Sequence, residues 1–126
     1  MTAVRMWKAS GERRSWAEAG DLARGHLLAQ LLHGNLNDLE SVAQVKAAVE
    51  RSVVEPALAI DLGFFNSVAL SLHDGRALIE HVIEAYGTFD LDARDLRRVL
   101  EVWSGVVGGQ EGVDTTVTLE WPTRST

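Results

Sequence analysis

Residues 73–107 read HDGRALIEHVIEAYGTFDLDARDLRRVLEVWSGVV, and the fold expected for the chain depends on how this stretch winds. Leu78, Ile79, Val82, Ile83 and Tyr86 recur at the spacing of one helix face, with Glu80, His81 and Glu84 between them. Asp74 stands where a carboxylate can accept from the free N–H groups of a first helical turn, and Gly87 stands where a left-handed residue ends one. After Thr-Phe-Asp-Leu, Asp92 opens a second helix. Leu96, Val99, Leu100, Trp103 and Val107 line one side of it, and Gly108-Gly109 stops it. The spacing therefore predicts a helical hairpin.

Residues 15–54 carry similar punctuation. Ser15-Trp-Ala-Glu18 and Asn37-Asp-Leu-Glu40 both have the form of a capping box, hydroxyl or amide first and carboxylate three residues later. Between them Leu27, Leu28, Leu31 and Leu32 make a stripe that Gly34 closes. Leu39, Val42, Val45, Val49 and Val53 follow the second box, and Glu55-Pro56 ends that helix, because a residue before proline is pushed out of the helical region. The two hairpins overlay. Leu27-Leu28 and Leu31-Leu32 fall on Leu78-Ile79 and Val82-Ile83, and Asp38, Val42, Val45 and Val49 fall on Asp92, Leu96, Val99 and Trp103. The expectation is a β-α-α-β unit that admits an internal duplication.

Strands complete that plan. Thr2 to Lys8 sets Val4 and Met6 against Arg5 and Trp7. Ala57 to Leu62 and Ser67 to Leu72 alternate around a Gly63-Phe-Phe-Asn66 turn and could pair as a hairpin, although a continuous helix over 57–72 is the competing reading. Asp114 to Trp121 alternates Val117, Leu119 and Trp121 against Thr116, Thr118 and Glu120, and Pro122 ends it. The resulting fold class is α+β: a two-layer sandwich with about four helices on one face of a mainly antiparallel four-stranded sheet. One domain over residues 1–122 is expected, with 123–126 as a short tail.

Composition narrows the function. The 126 residues include 46% apolar and 24% charged side chains, which is globular composition, and no cysteine, which excludes disulfides and thiolate chemistry. No apolar run approaches the roughly 18 residues of a membrane span, and the first residues lack a signal-peptide core, so a cytoplasmic protein without a membrane partner is expected. A net charge of −6 argues against nucleic acid as partner. The charge is uneven: residues 1–14 hold Arg5, Lys8, Arg13 and Arg14 against Glu12, a net +3 that leaves −9 on the remainder.

The search for chemistry finds little. His26 and His33 share a helix azimuth but stand roughly 10.5 Å apart along the axis at 1.5 Å per residue, too far for one metal ion. His81 and Glu84 supply two ligands of the three or four that zinc needs. His73-Asp74 resembles the central dipeptide of metal-dependent phosphohydrolases of the HD type. That resemblance implies an earlier His (His26 or His33) and a later Asp (Asp92 or Asp95) as companions. Residues 61–67 resemble the attachment site of acyl carrier proteins, with Ser67 as the carrier serine and Asn66 where that family has Asp.

The expectation is therefore a non-catalytic protein-binding module of adaptor, immunity-protein or inhibitor type, with no catalytic residues, metal or cofactor. Its partner would be another protein, with a homodimer as one form. The contact surface would be charged and aromatic, built from Arg5, Trp7, Arg13, Arg14 and Trp121, with Arg5, Trp7, Thr116, Thr118 and Glu120 on the open face of the sheet. The alternative is a small-molecule binder or metal-dependent hydrolase using His73 and Asp74, with His81 nearby.

Overall fold

The structure is a computed structural model that describes residues 2–9, 11, 14–19, 25–83, 87–110 and 112–119. Its described elements run β1 (Thr2–Lys8), β2 (Ser15–Glu18), α1 (Gly25–Ala29), α2 (Leu39–Val54), β3 (Ile60–Phe64), β4 (Val68–His73), β5 (Arg76–His81), β6 (Thr88–Asp92), α3 (Ala93–Val107) and β7 (Asp114–Leu119). Residues Gln30–Asn35 continue α1 as a π-helical segment. The class is α+β, but the strands form two antiparallel sheets rather than one. The first has the order β2-β1-β7 and the second β3-β4-β5-β6.

The largest departure from the sequence expectation lies at 74–83. Asp74 and Gly75 have φ of +53° and +73° and form the two-residue turn of a β-hairpin, with His73 opposite Arg76. An Asp-Gly pair suits this turn, because both central residues need positive φ and the twist of the turn matches that of the strands. Asp74 therefore caps no helix. Ala77 and Ile79 point inward between Leu72 and Leu91 on one rung and Leu70 and Phe89 on the next. Leu78 pairs with Ser71 and Asp90 on the other face. Val82 and Ile83 are 57% and 49% exposed rather than buried in a stripe. The predicted Tyr86–Gly87 helix end falls partly on residues outside the described set.

The first predicted hairpin also changes at its start. Ser15–Glu18 is a strand paired to β1, not a capping box. The leucine stripe is buried as expected: Leu27, Leu28, Leu31 and Leu32 are all fully covered, each such burial contributing roughly 1.5–3 kcal/mol. Gly34 lies within the π segment instead of ending the helix. The proposed duplication fails, because its overlay sets helical Leu27-Leu28 on strand residues Leu78-Ile79.

Other expectations hold in part. The cap of α2 is Asp38, which accepts from the Ser41 amide at 2.8 Å, and not Asn37, whose side chain turns to Ser15 and His33. Val42, Val45 and Val49 face the core, while Leu39 is exposed. Glu55 closes α2. Asp92 caps α3 through the Arg94 amide, and Leu96, Val99, Leu100 and Trp103 make its buried face. The hairpin expected within 57–72 forms, but β3 begins only at Ile60 and takes in Gly63 and Phe64, which the expectation placed in the turn.

The helices join the two sheets. α1 touches β2 on one side and β5 and β6 on the other; α3 touches β1 and β7 as well as β5 and β6; α2 packs on α3, β3 and β4. A helix pressed from both sides needs apolar residues around most of its girth, which explains the unbroken Leu27, Leu28, Leu31 and Leu32 set. Buried residues of both sheets and of the helices form one apolar cluster. Among the described residues no helix is long and apolar enough to cross a membrane.

Candidate functional site

The first sheet turns one face inward and leaves the other open. Val4 and Met6 of β1, Ala17 of β2 and Val117 and Leu119 of β7 are buried. Side chains alternate along a strand, so Arg5 and Trp7 of β1 take the opposite face, as do Trp16 and Glu18 of β2 and Thr116 and Thr118 of β7. The register places Trp7 opposite Trp16 and Arg5 opposite Glu18. Two Arg-x-Trp segments, Arg5-Met-Trp7 and Arg14-Ser-Trp16, thus lie side by side.

Each arginine stacks on its own tryptophan, because residues two apart on a strand share a face. The Arg5 guanidinium is 4.6 Å from the Trp7 ring centre, and that of Arg14 is 5.2 Å from the Trp16 ring. At an exposed site such stacking is worth about 0.5–1 kcal/mol. Arg5 also donates to both carboxylate oxygens of Asp114, at 3.1 and 2.7 Å, and lies 3.8 Å from Glu18. The hydrogen bonds and charge of Arg5 hold the Asp114 carboxyl below its ordinary pKa. Arg14 carries no salt bridge among the described residues. It donates instead to the His33 carbonyl at 2.6 Å.

The free edge of β2 is closed by side chains of the segment that follows α1. The amide of Ser15 donates to Asn37 Oδ1 at 2.9 Å, and Asn37 Nδ2 returns a bond to the Ser15 carbonyl at 2.8 Å. Two residues on, His33 Nδ1 lies 3.0 Å from the Ala17 carbonyl and 3.3 Å from the Ala17 amide. Protonated, Nδ1 donates to that carbonyl; bare, it accepts from that amide. Asn37 and His33 thereby mimic a neighbouring strand, bonding both backbone groups of Ser15 and one of Ala17, which blocks the edge from pairing with another chain. Burial pushes the His33 imidazole below its ordinary pKa. The Ala17 hydrogen bond pulls it back in part, and the charge of Arg14 lowers it further. His33 is therefore neutral at pH 7.

Beside this edge a cleft of about 600 Å³ opens between β2 and the helical segment. Trp16 and His33 form its aromatic wall, ring centres 5.3 Å apart and edge to face. His26, Gln30, Glu18 and Arg14 supply its polar groups. Small side chains make the depression, among them Ala17 and Ala29. His33 lies in the π-helical segment, and π turns inside helices recur at functional sites because the widened turn re-aims side chains.

The chain matches no family model, no curated protein and no solved structure.

Of the contact residues expected from sequence, Arg5, Trp7 and Arg14 come together on the open face, while Arg13 and Trp121 lie outside the described residues. Trp16, His33 and Asn37 were missed as site residues. The repeated Arg-x-Trp spacing could have identified Trp16.

The alternative site is not assembled. His73 and Asp74 sit exposed on the β4–β5 turn, 3.4 Å apart. His81 ends β5, where its Nδ1 accepts from the Ile83 amide. Among the described residues no group of three His, Asp or Glu is placed to hold a metal ion. Ser67 precedes strand β4 instead of opening a helix, and its hydroxyl lies 3.5 Å from Asn35.

Proposed function

We propose that the chain is a protein-binding module that acts through the open face of the β2-β1-β7 sheet, in the manner of an adaptor, immunity protein or inhibitor. The observation that carries this reading is the paired Arg-x-Trp arrangement. Two large, half-buried aromatic rings lie adjacent on the outward face of the sheet, each with a cation stacked on it. Tryptophan and arginine dominate the energetics of protein interfaces, because they bury large areas and lose little freedom when already packed. The salt bridges of Arg5 hold its side chain in place before a partner arrives. Arg14 keeps its charge available to an acidic group.

The test uses the tagged protein as bait in extracts of its own source cells, with captured proteins quantified for the wild type, Trp7→Ala and Arg14→Glu. A specific partner is expected to fall at least about tenfold with each variant. Arg14→Glu removes one stacking contact and one exposed hydrogen bond, so it should lower unfolding stability by about 1–2 kcal/mol and leave the protein folded. A partner held equally by the wild type and by a folded Arg14→Glu and Trp7→Ala protein would refute the face as the contact surface.

A further inference from the structure

We infer that the cleft between β2 and the α1 segment binds a small organic carboxylate with a flat, apolar body. The volume of about 600 Å³ lies inside the range of roughly 300–1,000 Å³ typical of small-molecule sites and far exceeds one inserted side chain. Its walls combine what such a ligand needs. The Trp16 and His33 rings offer aromatic surface, and Ala17 and Ala29 leave room for a planar body against it.

The sign of the ligand's charge follows from the rim. Glu18 is drawn across the sheet toward Arg5, whereas Arg14 has no carboxylate partner among the described residues. A guanidinium stacked on Trp16 and steadied by the His33 carbonyl is pre-oriented, so less freedom is lost when a carboxylate bonds to it. Gln30 and His26, one helical turn apart on the same wall, add hydrogen-bonding groups for the ligand's polar end. The same wall is held in place by the bonds from His33 and Asn37 to β2, so the cleft exists before any ligand enters. The site shares Arg14 and Trp16 with the proposed contact face, but the binding of a small acid is read without any partner protein, so the two readings can fail independently.

The experiment uses 2-naphthoate as probe and 2-naphthamide as its neutral counterpart, titrated into ¹⁵N-labelled full-length protein at pH 7 and followed by amide and indole chemical shifts. Saturable shifts centred on the Trp16 indole and on Ala17, Ala19 and Gln30 are expected, with the acid at least about tenfold tighter than the amide. Arg14→Gln should abolish the preference for the acid, and Arg14→Lys should restore part of it. Equal affinity for acid and amide, shifts centred elsewhere, or no saturable binding by the folded wild type would overturn the assignment. So would an Arg14→Gln protein that still prefers the acid.

Discussion

Trp103→Ala should be the most damaging single substitution in the chain, lowering unfolding stability by about 3–5 kcal/mol, a large share of the roughly 5–15 kcal/mol that holds a domain folded. Trp103 is fully buried on α3 and is the largest of the covered side chains. Its indole Nε1 donates to the Leu36 carbonyl at 2.7 Å, in the connection between the π segment and α2. The residue therefore both fills the core between helices and satisfies a buried carbonyl far away in sequence. Alanine removes the ring and leaves a cavity; it also strands the Leu36 oxygen. Trp103→Phe separates the two effects, since it keeps most of the volume and loses the donor, and it should cost about 1–3 kcal/mol. Urea unfolding followed by far-UV circular dichroism measures both. A loss below 1 kcal/mol for the alanine variant would contradict the packing described.

Asn37→Ala should have the second largest effect, and a more local one. Asn37 bonds to both backbone groups of Ser15 and to the His33 carbonyl, at 2.9, 2.8 and 2.8 Å. At about 0.5–1.5 kcal/mol for each bond, its removal should cost roughly 2–4 kcal/mol. The Ser15 amide loses the acceptor that Asn37 supplies, so its hydrogen exchange should accelerate by on the order of a hundredfold, which is about 2.7 kcal/mol of protection. Amides of β4 and β5 should slow or quicken only with global stability. Asn37→Asp should resemble alanine, because a carboxylate keeps the acceptor but loses both donated bonds. Unchanged exchange at Ser15 in Asn37→Ala would show that the edge is not held as described.

The legible part of this sequence was the part where one physical signal spoke alone. α2 and α3 each open on an aspartate, carry apolar residues at helical spacing and end at proline or glycine, and both formed where the spacing places them. β1 and β7 alternate cleanly and pair with each other. Misreading came where two signals overlapped. In 76–83, adjacent Leu78-Ile79 and Val82-Ile83 imitate a helix face, yet the preceding Asp-Gly turn and the partner Phe89–Leu91 make the segment a strand. Leu78 faces away from the core side of the sheet, and Val82 and Ile83 lie exposed beyond the end of β5; these three outward apolar residues produced the false period. At 15–18 the capping pattern and the strand pattern share the same four residues. Only the long-range pairing with β1 decides between them, and no local rule contains it. The open face was legible in the alternation that sets Arg5, Trp7, Thr116 and Thr118 against Val4, Met6, Val117 and Leu119. The cleft was not, because it depends on His33 and Asn37 reaching the backbone of a strand some twenty residues earlier.

The antiparallel pairing of β1 with β2 places both tryptophans on one surface and builds the cleft beside them, so it is the feature to measure. Ser15 and Ala17 bond outward to Asn37 and His33, which makes Met6–Ala17 and Lys8–Ser15 the closely spaced pairs, with Cα atoms about 4.5 Å apart. A nuclear Overhauser spectrum should therefore contain strong Hα–Hα cross-peaks for Met6–Ala17 and Lys8–Ser15. Their absence, together with sequential amide–amide contacts running from Ser15 to Glu18 as in a helical turn, would contradict the account.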